Sequence, residues 1–197
     1  MALKMADSIS KERDMSFTKK QLRTSLRLAY LKYNFKSYEQ QLVKSCLTYL
    51  NTINYKSIGL FYSLPTEQPT HLLVDTLIHF KSVALPRMYN NDIKFHFITS
   101  ISDLEPNKYN IMEPKASCLV ADELDVVLVP GLLFDINGYR LGYGKGCYDK
   151  YLSKSCSNYK LGYCVSFQLT KDVHLVPKES HDVQLHGVIT ENQIKLI

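Results

Sequence analysis

Gly142, Gly144 and Gly146 stand at every second position of the run Pro130-Gly131-Leu132-Leu133-Phe134-Asp135-Ile136-Asn137-Gly138-Tyr139-Arg140-Leu141-Gly142-Tyr143-Gly144-Lys145-Gly146-Cys147-Tyr148-Asp149. Glycine permits backbone conformations closed to other residues and lets a ligand approach the main chain. Lys145 lies between two of these glycines, Arg140 just before them and Asp149 just after. Arginine offers a planar fork of donors and lysine a mobile point charge. A carboxylate such as Asp149 suits Mg²⁺, which takes one or two carboxylates along with phosphate oxygens and water. An apolar run, Asp125–Val129, precedes the segment, and an amphipathic stretch opens at Tyr148. Strand, glycine loop and helix start is an order that holds phosphates, because loop N–H groups turn inward and the helix N-terminus adds partial positive charge. The spacing is neither that of a Walker A loop, which needs Gly-Lys-Ser/Thr, nor the G-x-G-x-x-G of dinucleotide sites. Taken alone, the loop leaves open an ordinary glycine-rich turn with scattered surface charge.

The elements that must position this loop are readable around it. Leu22, Leu26, Ala29 and Tyr33 share one face of a helix expected over Phe17–Tyr33. Lys19 and Arg23, four apart, share a side of it. Ser37-Tyr38-Glu39-Gln40 matches a capping box that opens a second helix to about Leu50. Ser57–Tyr62 is a short apolar strand, and the loop Ser63–Thr70 leaves its C-terminal end. A helix is expected from about Thr70 to Phe80, with Pro69 suited to its first turn. Val83–Pro86 is a buried strand, and Ile93–Ile98 alternates Phe95 and Phe97 against Lys94 and His96 as a half-exposed strand does. Asn107–Lys115 looks irregular. Asp125–Val129, Leu161–Ser166 and Gly187–Thr190 complete the strands. Continuous apolar strands alternating with helices predict an α/β fold, a single three-layer domain over 1–197 with a mainly parallel sheet flanked by helices. Ligands in such folds sit beyond the strand C-termini, which singles out the loops after Tyr62, Leu85 and Val129.

Composition sets the bounds. With 197 residues, 45% hydrophobic and 22% charged, the chain reads as one soluble globular domain. No apolar run approaches the ~20 residues that span a bilayer. Met1–Ser16 has no apolar stretch of the secretory kind and is expected to be a flexible lead-in. Five cysteines, odd in number and without C-x-x-C, argue against a zinc site or a disulfide framework and for reduced thiols in a cytoplasmic protein. The net charge of +5 suits an anionic small molecule, and no basic stripe interleaved with aromatics points to nucleic acid.

From about Lys19 to Glu191 the chain resembles the 5-formyltetrahydrofolate cyclo-ligase (5,10-methenyltetrahydrofolate synthetase) family. The resemblance lies in Pro-Gly-x-x-Phe-Asp followed by Arg-Leu-Gly-x-Gly-x-Gly-x-Tyr-Asp, from Pro130 to Asp149. Supporting marks are Lys19 with Leu22-Arg23, Glu67 with Thr70, Leu85-Pro86-Arg87, Ile111 with Glu113-Pro114, and His181-Asp182 ahead of Val188–Glu191. It implies the NagB/RpiA/CoA-transferase-like fold. It also implies ATP- and Mg²⁺-dependent closure of 5-formyltetrahydrofolate to 5,10-methenyltetrahydrofolate, with release of ADP and phosphate. The substrate, with or without a polyglutamate tail, would be handled by a monomer with no nucleic-acid or membrane partner.

The resemblance further implies roles for single residues. Lys19 and Arg23 would contact ATP phosphates, and Arg140, Leu141, Gly142, Tyr143, Gly144, Lys145, Gly146, Cys147 and Tyr148 would form the nucleotide loop. Arg140, Lys145 and Tyr148 would act in catalysis. Tyr62 and Glu67 would line the folate site, with Tyr143, Gly144, Lys145, Gly146 and Cys147 near the formyl group. Asp149 and Asp182 would support Mg²⁺. Two positions depart from the family's habit: Cys147 replaces a usual aromatic, and Lys145 stands where bacterial members often have glycine. Each residue also has a plainer reading. Lys19 and Arg23 suit a solvated helix face, Glu67 a turn, Asp149 a first-turn carboxylate and Asp182 a loop charge. Arg87 reads as a structural ion-pair partner and His181 as exposed or structural. Cys147 near a helix start lacks the histidine partner of a nucleophile. The competing functions are a catalytically silent nucleotide- or folate-binding module and an RNA-binding relative.

Overall fold

Strands buried on both faces need apolar side chains at consecutive positions, and Val126, Val127, Leu128 and Val129 are each wholly buried. Val126 and Leu128 pack into one apolar cluster and Val127 and Val129 into another, on opposite sides of the sheet. Each such side chain contributes about 1.5–3 kcal/mol on leaving water, so this strand fixes the middle of the fold. The structure is a computed structural model and describes residues 18–197. The lead-in expected over Met1–Ser16, and Phe17 at the expected start of the first helix, lie outside the described residues.

In chain order the elements begin with α1 (Lys19–Tyr30), α2 (Glu39–Leu50), β1 (Ser57–Gly59), α3 (His71–Leu77), β2 (Ser82–Tyr89) and β3 (Asp92–Ile98). There follow β4 (Leu104–Pro106), β5 (Met112–Pro114), β6 (Val126–Val129), β7 (Leu133–Asp135) and β8 (Arg140–Leu141). The chain continues through α4 (Cys147–Lys154), β9 (Tyr159–Tyr163), β10 (Leu169–Thr170), β11 (Gly187–Ile189) and β12 (Ile194–Leu196). The main sheet has seven strands in the order β12-β11-β9-β6-β1-β2-β3. Its five inner strands run parallel, and β12 and β3 pair antiparallel at the two edges. Helices α2 and α3 cover one face and α4 the other. This is the expected three-layer α/β arrangement with a mainly parallel sheet. Helix α1 packs Leu22, Leu26 and Tyr30 against Leu133 and Leu141 of the small sheet β10-β7-β8 and against Leu132 just before β7.

Several local expectations are corrected. Ser37 does not cap α2: its hydroxyl donates to the Asn34 carbonyl within a 3-10 turn at Phe35–Tyr38, and Tyr38 leads into the helix without a side-chain cap. Pro69 lies outside α3, before the N-cap residue Thr70, whose hydroxyl is spent on the Phe61 carbonyl. His96 is not on a solvated face. It is 1% exposed, with Nδ1 at 2.7 Å from the Cys118 carbonyl and Nε2 at 3.0 Å from the Tyr89 hydroxyl. Residues 119–121 cover that strand edge through Phe97, Leu119, Phe95 and Ala121, so alternation along β3 does not mark solvent. Asn107–Lys115 is not irregular throughout, because Leu104–Pro106 pairs antiparallel with Met112–Pro114. Pro86 sits inside β2 beyond the last residue paired with β1, where its missing N–H costs no ladder bond.

Candidate functional site

The order of strands reverses between β1 and β6, and the crevice outside such a switch point is where open α/β sheets bind ligands. A cavity of about 1240 Å³ opens there. Phe61 and Tyr62 after β1, Pro86 and Met88 of β2 and Pro130 after β6 form its floor. Its walls are α1, the loop after β8, the turn Glu179–Val183 and the β4–β5 hairpin.

The glycine loop is suspended from a hairpin invisible to the sequence reading. Asp135 Oδ1 accepts the N–H groups of Asn137 and Tyr139, which turns the chain from β7 into β8. Gly138 allows that turn at φ +80°, where a Cβ would stand 2.5 Å from the Leu185 carbonyl oxygen. The strand feeding the loop is thus the two-residue β8, and not the apolar run Asp125–Val129 directly. Gly144 and Gly146 take φ of +105° and +67°, and Gly146 is the N-cap of α4. Among the described residues the N–H groups of Tyr143, Gly144, Lys145 and Gly146 donate to no protein acceptor. The first N–H groups of α4 are free of intrahelical partners as in any helix. Together they make a cradle for anionic oxygens.

Cations surround this cradle. Arg23 Nε donates to the Gly142 carbonyl at 2.9 Å, and Arg27 Nη2 to the Tyr143 carbonyl at 2.9 Å. Lys145 is exposed on the loop, with its ammonium 5.4 Å from the ring centre of Tyr109 on the facing hairpin. Arg140 is buried, its Nη2 2.9 Å from Asp149 Oδ1 and its Nη1 3.2 Å from the Val183 carbonyl. Asp149 Oδ1 also accepts the Val183 N–H, leaving Oδ2 without a partner among the described residues. Lys19 Nζ lies 2.7 Å from Asp182 and 3.2 Å from Glu179. Burial works against the Asp182 charge, but the Lys19 ammonium, the Glu179 N–H and His181 outweigh it and hold its carboxyl below the ordinary range. Glu179, His181 and Asp182 bring three ligand atoms within 4.8 Å of one another. The hard oxygens of Asp149 and Asp182 fit Mg²⁺ by type.

Tyr62 and Glu67 border the same cavity. Tyr62 lies against His71, with ring centres 4.2 Å apart and the rings tilted by 34°. Glu67 accepts the Leu64 N–H at 2.9 Å and faces the Tyr143 hydroxyl, yet burial outweighs both and raises its pKa above the usual carboxylate range. Burial also raises Tyr143 and Tyr148, each pushed further by the Glu67 charge. The Tyr148 hydroxyl is shut off from solvent and has no partner among the described residues. A ligand group reaching it would satisfy an otherwise unmade hydrogen bond.

Of the residues singled out from the sequence, Lys19, Arg23, Tyr62, Glu67, Arg140, Gly142 to Asp149 and Asp182 all border this one cavity. Leu141 does not: its side chain is wholly buried against α1, and its backbone pairs with β7, with the carbonyl also accepting the Leu132 N–H. Cys147 is buried with Sγ 3.4 Å from the Asn91 carbonyl. Arg87 is a structural ion-pair partner, 2.8 Å from Glu105 and 3.4 Å from Glu113. His181 is exposed. The sequence reading passed over Arg27 and Glu179, and the apolar wall of Met88, Ile93, Ile111 and Met112. Arg27 was detectable as the next same-side position after Arg23, and Glu179 as an acid two residues before His181. The apolar wall carried no local signal.

The 5-formyltetrahydrofolate cyclo-ligase family model matches residues 11–191. The 5-formyltetrahydrofolate cyclo-ligase of Escherichia coli is 31% identical over 165 residues, covering 79% of this chain and 88% of its own. The mouse (Mus musculus) enzyme of the same name is 29% identical over 152 residues, covering 71% and 75%. Among solved structures, the 5,10-methenyltetrahydrofolate synthetase of Aquifex aeolicus superposes with a TM-score of 0.77 at 25% identity, covering 91% of this chain and 93% of its own.

Proposed function

Because the chain belongs to the 5-formyltetrahydrofolate cyclo-ligase family, we propose that it converts 5-formyltetrahydrofolate to 5,10-methenyltetrahydrofolate with consumption of ATP. The observation that carries this reading is a single cavity lined by two unlike sets of groups. One set is the unsatisfied N–H groups of the glycine loop with Arg23, Arg140 and Lys145; the other is Tyr62, the raised carboxyl of Glu67 and an apolar wall.

The chemistry requires such a division. An N-formyl carbon is amide-like and a poor electrophile, and its oxygen is a poor leaving group. Transfer of the γ-phosphoryl group to that oxygen, followed by attack of N10 and departure of phosphate, overcomes both. Phosphoryl transfer is catalysed mainly by positioning and charge stabilisation. Lys19, Arg23 and Lys145 supply the cations for the phosphates, and the Tyr143–Gly146 backbone supplies neutral donors. Arg140 sets the loop by tying its two ends, and Tyr148 offers its hydroxyl near the reacting groups. Glu67 orients the pterin through its donor edge, with Tyr62 alongside. Asp149 and Asp182 are the carboxylates that would hold Mg²⁺, which when bound shields phosphate charge. In this reading the protein works as a single-domain monomer in the cytoplasm, on substrate with or without a polyglutamate tail.

The test is turnover. Purified protein with 5-formyltetrahydrofolate, ATP and Mg²⁺ should generate the methenyl absorbance and release ADP in equal amount. Folded protein that binds either ligand without turnover would instead establish a silent binding module. Salt-dependent RNA binding without turnover would establish the nucleic-acid reading.

A further inference from the structure

Two arginines on one side of α1 hold consecutive carbonyls of the glycine loop, Arg23 that of Gly142 and Arg27 that of Tyr143. In a planar trans peptide the C=O and the following N–H point in opposite directions. Fixing these two carbonyls towards α1 therefore turns the N–H groups of Tyr143 and Gly144 away from it, and these are among the groups without a protein acceptor. Arg27 does more than Arg23, because its guanidinium carbon also lies 5.9 Å from the centre of the Tyr143 ring, within the range of a cation–π contact. The Tyr143 hydroxyl in turn faces the Glu67 carboxyl. A continuous path thus runs from α1 through Arg27 and Tyr143 to Glu67.

We propose that Arg27 is a positioning residue for the reaction: it sets the Tyr143 peptide for the nucleotide and the Tyr143 ring for Glu67. The proposal rests on the functional reading above for its kinetic consequences, but not for its structural one. Arg27 touches no reacting atom; it acts through Tyr143.

The test compares Arg27→Ala, Arg27→Lys, Tyr143→Phe and the Arg27→Ala/Tyr143→Phe double variant in the full chain. Arg27→Ala should raise KM for both ATP and 5-formyltetrahydrofolate by about 5- to 10-fold, as loss of a hydrogen bond from a charged donor does, with kcat changed less than KM. Arg27→Lys should recover the ATP effect, since an ammonium still reaches a carbonyl, and recover the folate effect less, since it lacks the planar face. Tyr143→Phe should affect the folate KM alone. In its background, removing Arg27 should add little to the folate KM, a non-additivity expected only of residues acting in series. Independently of turnover, Arg27→Ala should lower the NMR order parameters of the backbone N–H vectors across 142–146 from the rigid range of about 0.85 to below about 0.6, while α2 and β6 stay rigid. Wild-type order parameters in the loop would overturn the proposal whatever the reaction proves to be. With turnover present, unchanged KM values or additive folate effects would overturn it. Absence of turnover in wild type with a loosened loop in Arg27→Ala would strike the functional reading and leave the positioning role standing.

Discussion

Arg140 Nη2 stands 2.9 Å from Asp149 Oδ1, so the two ends of the glycine loop are tied directly to each other. Val183 completes the closure: its carbonyl accepts from Arg140 and its N–H donates to the same Asp149 oxygen. The loop between is a ring held shut at its base, with Asp149 Oδ2 left over.

Arg140→Ala should therefore be costly to stability as well as to activity. The Arg140 side chain is 3% exposed, and removing it leaves a carboxylate in a poorly solvated place. Breaking such a pair from one side costs about 3–5 kcal/mol, readable as a lower denaturant midpoint in urea.

Asp149→Asn separates the tie from the metal. An amide oxygen still accepts from Arg140 and Val183, but the buried Arg140 loses its counter-charge, so thermal stability should fall, by less than in Arg140→Ala. The Mg²⁺ concentration for half-maximal activity should rise about tenfold or more. Asp182→Asn should act in the same direction. A wild-type Mg²⁺ titration in both variants would remove them from the metal site.

Glu67→Gln should lose activity and gain stability at pH 7. Burial raises the Glu67 pKa in the folded state above its ordinary 4.5. The folded protein thus favours the protonated form, and the stabilisation is complete below pH 4.5 and lost as pH rises through the folded value. At neutral pH wild type bears a cost that glutamine lacks, because its buried carboxyl must either ionise or take up a proton that the unfolded chain releases. The melting-temperature advantage of the variant should shrink as pH falls and vanish below pH 4.5.

Lys145→Ala should raise KM for ATP about tenfold with little effect on stability, since the side chain is exposed and its contact is the face of Tyr109. Steady-state kinetics and a thermal melt on one preparation decide it.

Gly142→Ala and Gly144→Ala should differ. A Cβ at Gly142 meets nothing within 4 Å, whereas Gly144 holds φ +105° with the Arg23 guanidinium 3.4 Å away. Gly144→Ala should cost about 1–3 kcal/mol in stability. Gly142→Ala should melt like wild type, so any loss of ATP affinity reports the ligand's closeness to the main chain.

The sequence alone determined the features that depend on near neighbours. The periodicity of Leu22, Leu26 and Ala29 made a helix, although Tyr33, read on the same face, lies beyond its end at Tyr30; the unbroken Val126–Val129 run made a central strand, and the alternation of such units made a parallel sheet. The motif from Pro130 to Asp149 was legible because a loop that cradles anions must be glycine-rich and cationic in sequence as well as in space. What failed locally failed for physical reasons: the Ser37 hydroxyl had a nearer acceptor in Asn34, and His96 was covered by residues more than twenty positions away.

Tertiary structure alone decided the relations across distance. Nothing near Asp149 in sequence shows that Val183 shares its oxygen, that Lys19 meets Asp182 across 163 residues, or that Arg27 reaches Tyr143 across 116. The pKa of Glu67 was likewise undecided until the fold buried its carboxyl and set Tyr143 against it. Residue type fixes which chemistry is available, but packing decides which charges lose water and which groups stand together.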